Sequence, residues 1–240
     1  MKQLEKAVQK DIPYLADAME KLCADMLIFR YQLSHTDESK RNCTKSLEVL
    51  FESAEDYAKA DQKLREIRKD RKQLLAEKQG LSLIHVFRHK ELSARIAEKT
   101  EDAEELKARK ISILKRVGLS EKADNTELNQ RIASLEKLAQ KLDNQQQKFS
   151  NLLEETQKKY AVLQEQAAQV NDAELDEARR NAKREHMDCA IKRIQNTFGE
   201  KFSVVRMMEV RKDVERMTKS EEQSKQKEHS MEKYALNKSM

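Results

Sequence analysis

Two histidines raise the question of chemistry first. His85 and His89 stand four apart in "LIHVFRHKEL", which on a helix puts both imidazoles on one face at a spacing that metal sites use. A third ligand is missing, because Glu91 falls on another face. The pair therefore reads as two side chains of a packed or partly exposed helix, and no metal is expected. Cys23, Cys43 and Cys189 are widely spaced and odd in number, so they imply neither a disulfide framework nor a zinc site. The chain has no glycine-rich phosphate loop, no nucleophile elbow and no kinase-like motif. Active sites sit on loops held by a scaffold, and a chain with three Gly and one Pro offers few loops. No enzyme and no cofactor are expected.

The stronger chemical signal is positive charge. "KARKISILKR" (107–116) carries Lys107, Arg109, Lys110, Lys115 and Arg116, with Lys122 beyond Gly118. Cations are favoured in the last turn of a helix, where they answer the macrodipole. That accounts for Lys115 and Arg116 but not for the three basic residues a turn or more earlier. The cluster is either a generic solvated face or a surface for anions such as phospholipid head groups, an acidic protein tail or nucleic acid. Single-stranded nucleic acid would call for aromatics interleaved with the basics, and none occurs between Phe87 and Phe149, so no nucleic-acid partner is expected. Lys158 and Lys159, and the run "ARRNAKR" (178–184), add further basic sites.

The elements that must position these residues are helices. Charged residues make up 38% of the chain, aromatics 5%, and Trp is absent, a composition of long helices rather than of a multilayer globule. The net charge of +5 from 48 basic and 43 acidic residues is too balanced for a protein that coats nucleic acid. No apolar run approaches the roughly 18–20 residues that span a bilayer, and Met1 opens a charged stretch, so a cytoplasmic chain without a leader is expected. The breaks are Pro13, Gly80, Gly118 and Gly199. They suggest a short lead over 1–13, helices over 14–79, 81–117 and 126–217, and a polar, disordered tail over 218–240. Asp124, Asn125 or Thr126 can cap the third helix. A heptad seam begins Leu15, Met19, Leu22, Met26, Phe29, Leu33 and continues through Leu47 and Leu50, and a late one uses Met187, Ile191, Ile194, Phe198 and Phe202. Such stripes bury against partner helices. The start of the second helix, "LSLIHVFRHKEL", is apolar nearly all round at Leu83, Ile84, Val86 and Phe87, a pattern expected between several helices.

Over 14–217, this order of helices resembles a BAR domain. The first helix "CADMLIFRYQLSHTDESKRNCTKSLEVLFESAEDYAKAD", the second "LSLIHVFRHKELSARIAEKTEDAEELKARKISILKRVG" and the returning "LNQRIASLEKLAQKLDNQQQKFSNLLEETQKKYAVL" look like those of a sorting-nexin-type BAR domain. The resemblance implies an all-α, elongated, antiparallel three-helix coiled coil that dimerises, with itself or a related chain, into a curved surface. It implies a peripheral protein of endosomal type that senses or induces curvature of anionic phospholipid membrane through a basic tip. Lys107, Arg109, Lys110, Lys115, Arg116 and Lys122 would form that tip, with Lys158 and Lys159 on the arm. The competing expectation is a coiled-coil scaffold of cytoskeleton, centrosome or cilium, dimerising through the same seams and bound to a cytoskeletal partner.

Overall fold

The computed structural model describes residues 2–219 apart from Leu83, with side chains from Asp11 onward. Leu83 and the part of the expected tail from 220 on lie outside the described residues. The described chain is all helical: α1 (Lys2–Gly80), α2 (Val86–Arg116), α3 (Asn125–Ala167), α4 (Asp172–Phe198), a 3₁₀ turn (Gly199–Lys201) and α5 (204–219). It divides into two compact units, Met1–Ser39 with Leu142–Met240, and Lys40–Lys141.

The first unit is a bundle of four helical segments, from α1, α3, α4 and α5. Its core joins Met19, Met26, Leu27 and Tyr31 of α1 to Leu153 and Tyr160 of α3, Met187, Ala190 and Ile194 of α4, and Met207, Val210 and Val214 of α5. Tyr31 is fully buried, its ring 5.1 Å from Phe198 and 6.0 Å from Phe202, and its hydroxyl accepts from the Ser203 amide at 2.9 Å. That bond fixes the chain where it turns from α4 into α5.

This bundle corrects the expected BAR-type, elongated three-helix coiled coil. The third helix does not run from 126 to 217. It stops at Ala167, and Asn171 caps a new helix by accepting from the amides of Ala173 (3.0 Å) and Glu174 (3.4 Å). The chain breaks again at Gly199, whose φ of +50° suits a residue without a Cβ. The physical reason is burial. The apolar faces of 187–198 and 207–214 close onto α1 and α3 of the same chain, so the expected seam is covered without a second copy. Met19, Met26, Leu33, Leu50, Met187 and Ile194 are all buried, and Leu15, Leu22, Phe29, Leu47, Ile191, Phe198 and Phe202 pack against the same cores. The coiled coil read from the seams is overturned with it.

The second unit is built from the later part of α1, α2 and the start of α3. Its core contains Leu50, Tyr57, Ile113, Leu114, Val117, Ala123, Leu128 and Ile132. Helix α2 ends in a Schellman motif: the Gly118 amide donates to Lys115 O at 3.0 Å and the Leu119 amide to Leu114 O at 2.9 Å. Gly118 holds the left-handed φ of +69° that this ending requires. Asp124 then caps α3, accepting from Thr126 N (2.8 Å) and Glu127 N (3.1 Å). Those two amide bonds, Glu127's first, hold its carboxyl below the ordinary aspartate range.

Candidate attachment surface

Four of the five cations at 107–116 pair with carboxylates of the chain itself. Lys107 pairs with Glu104 at 2.6 Å, Lys115 with Glu121 at 2.6 Å, and Arg116 reaches Ser53 Oγ at 2.9 Å and Asp56 at 3.7 Å. Lys110 binds Asp61 and lies 4.4 Å above the Tyr57 ring. Burial works against its charge, yet Asp61 and Tyr57 prevail and its pKa is raised. Lys110 in turn is the main cause holding the Asp61 carboxyl below its usual range. Lys110 and Arg116 fasten α2 to α1, while Lys107 pairs within α2 and Lys115 with the loop beyond it. The loop beyond them is packed too, with Val117 and Ala123 buried against Leu50 and Tyr57. Lys158 pairs with Glu154 at 2.6 Å. Of the expected membrane residues, Arg109, Lys122 and Lys159 are exposed and have no ion-pair partner among the described residues. Lys158 and Lys159 belong to the other unit, and the remaining cations of the expected tip are spent on carboxylates of the chain itself.

The first unit also buries a charged group that periodicity did not reveal. Glu20, 3% exposed, accepts from Arg179 Nε at 2.8 Å, and Arg179 Nη2 donates to the Tyr160 hydroxyl at 3.1 Å. Burial opposes the guanidinium charge, but Tyr160 and Glu20 outweigh it and raise the Arg179 pKa. Beside them the Cys23 thiol is pushed up to about 12, by burial first and by Glu20 second. A thiol so held stays protonated and is no nucleophile at neutral pH. The cleft that Glu20, Cys23, Arg179, Lys183, Arg211 and Glu215 help to line has a volume of about 50 Å³, far below the roughly 300–1,000 Å³ of small-molecule sites. This group secures α4 to α1 and α3.

His89 Nε2 is buried without a hydrogen-bond partner, while His85 is exposed at the start of α2 without capping it. Among the described residues no group of three His, Cys, Asp or Glu could hold a metal, and no helix is long and apolar enough to cross a membrane.

The chain matches no family model, no curated protein and no solved structure.

What stands out is the end of the hairpin formed by α1 and α2. Ile84 is 86% exposed, Val86 66% and Phe87 92%, where burial between several helices was expected. Register explains the difference. Cys43 Sγ donates to Leu135 O at 3.5 Å, and that antiparallel pairing sets the start of α3, at 125, level with about residue 53 of α1. Farther out, α1 is paired with α2 through Asp61–Lys110 and Glu77–Arg88, and α3 does not reach. The usable signal was position: "GLSLIHVF" follows Gln79 directly, so its apolar residues sit on a turn and at the very start of the next helix, not in the middle of one.

The charge around this end is one-sided. Residues 65–95 hold nine Lys and Arg against four Asp and Glu, a net +5, so the rest of the chain is balanced at 39 of each. Arg88 binds Glu77 at 2.7 Å and Glu91 at 2.9 Å, so the only two carboxylates between 71 and 97 share one cationic partner, among six basic residues in that stretch. Lys72, Lys78, Lys90 and Arg95 have no ion-pair partner among the described residues.

Proposed function

We propose that this chain works by attachment and not by catalysis, presenting the end of the α1–α2 hairpin to a partner surface. The observation that supports this reading is the exposure of three large apolar residues within four positions, Ile84, Val86 and Phe87. Covering a side chain of this kind is worth about 1.5–3 kcal/mol, and apolar residues gathered on a surface usually mark an interaction site. The two cores serve this function indirectly, by holding helices whose ends are fixed by Gly118, Asp124 and Asn171.

The test is to change Ile84, Val86 and Phe87 together to Ser in the full chain and to follow the tagged protein in cells. All three are exposed, so helicity and melting should be unchanged. The expected result is a shift from a localised or particulate pool to a diffuse one. A triple variant distributed like the parent would refute the attachment reading.

A further inference from the structure

We infer that the partner of the hairpin end is an anionic lipid bilayer, with Ile84, Val86 and Phe87 entering the interface and the cations behind them meeting head-group phosphates. This rests on the attachment reading above and names its partner. Three observations carry it.

The first is form. The apolar residues lie on the turn that ends a two-helix hairpin (Ile84) and on the first two positions of α2 (Val86 and Phe87), so they make a convex point and not a groove. A convex apolar point needs a fitted pocket in a protein partner, whereas a fluid bilayer accepts it without one.

The second is the order of chemistry along the hairpin. At 1.5 Å per residue, Lys78 lies about 3 Å behind the end of α1 and Lys90 about 6 Å behind the start of α2. The head-group layer is about 5–8 Å deep on each side of the hydrocarbon. With the apolar residues at the hydrocarbon boundary, both lysines fall at the level of the phosphates. Lys72 and Arg95 lie roughly 12–14 Å back, within about one further Debye length of the surface.

The third is the treatment of negative charge. Glu77 and Glu91, the carboxylates nearest the turn, are both taken up by Arg88. Both carboxylates between 71 and 97 thus have a cationic partner, and with six basic residues against these two the stretch keeps a net +4 toward an anionic surface. The cluster at 107–116 lacks this character, because four of its five cations are engaged within the chain.

The chain contains no Trp, so Phe87→Trp supplies a single reporter at an exposed position. Mixed with phosphatidylcholine vesicles containing phosphatidylserine, the full-length variant should show blue-shifted emission and be quenched by brominated acyl chains. Phosphatidylcholine alone should give neither effect. Adding Lys78→Glu and Lys90→Glu should weaken binding about tenfold or more, since each basic residue near an anionic surface contributes several-fold, and high salt should do the same. Val162→Trp, exposed in the other unit, should remain unquenched. Emission from the Phe87→Trp variant that ignores anionic vesicles, or equal quenching of the Val162→Trp variant, would overturn the bilayer as partner. If the Phe87→Trp reporter ignores vesicles while the triple Ser variant still loses its localisation, the hairpin end docks on a protein: the attachment reading stands and this inference falls. If both tests fail, both fall.

Discussion

Arg179 joins distant parts of the sequence, since its guanidinium ties α4 to Glu20 in α1 and Tyr160 in α3. Removing one member of such a pair leaves a buried charge without compensation, which typically costs about 3–5 kcal/mol. Arg179 keeps some contact with water, its side chain 24% exposed, so Arg179→Met should cost about 3 kcal/mol, the low end of that range. The double variant Glu20→Leu, Arg179→Met should recover most of the loss, read from urea unfolding followed by circular dichroism. A double variant as weak as the single would show that the pair itself, and not the orphaned carboxylate, is what matters. His35 makes a second residue-scale prediction. Its Nδ1 is buried without a hydrogen-bond partner, and its ring lies 4.6 Å from that of Phe198. Burial first, then Arg206 and Lys201, lower its pKa against the opposing pull of Glu38. The unfolded chain, with a histidine pKa of about 6.5, therefore takes up the proton first as pH falls. The stability from neutral His35 is present in full above that pH and is lost below it, down to the folded pKa. His35→Phe should flatten this part of the stability profile, measured by denaturation at a series of pH values.

At the scale of elements, the decisive features are the places where helices stop. Asn171→Ala removes the two side-chain bonds that begin α4 and should cost about 1 kcal/mol. The effect should be local, with faster hydrogen exchange at the amides of Ala173 and Glu174 than elsewhere in α4. Unchanged exchange there would mean that packing alone sets the start of the helix. The same features explain what could be read from the sequence. The turn at Gly118, a cap on α3 among Asp124–Thr126, and the seam residues follow from glycine, capping chemistry and heptad spacing, all of which are local. The separation of α3, α4 and α5 was harder to see. The heptad seam loses phase at "NDAEL" (171–175) and Gly199 interrupts the chain again, but each could be a bend in one long helix. Only the burial of Met187, Ile194, Met207 and Val214 in one core with α1 decides between bend and fold-back, and that is a long-range matter. The basic cluster misled for a related reason. Spacing along one helix shows which cations share a face, but not that Asp56 and Asp61 on another helix wait to neutralise them.

For the whole molecule, the distribution of charge is more informative than its total. All of the net +5 resides in 65–95. Replacing 68–98 by a short Gly-Ser turn removes eight basic and four acidic residues and leaves a net +1. Neither main core loses a buried residue, because none of their members falls within that span. The shortened chain should therefore fold, and at neutral pH it should lose its retention on a cation-exchange column. Strong retention would mean that Arg109, Lys122 and the remaining surface cations act together after all.

The two units differ in how their sequence is arranged, and this bears on synthesis. The unit Lys40–Lys141 is one continuous segment, so it can close soon after it leaves the ribosome. The other unit is split: Met19, Met26, Leu27 and Tyr31 emerge early, while their partners from Leu153 to Val214 come last. At about 5–20 residues per second, the nascent chain carries that bare apolar stripe for roughly ten to thirty seconds. During this interval the first part of α1 is an open target for chaperones and for other unfinished chains, and a pause in translation after residue 141 would prolong the risk.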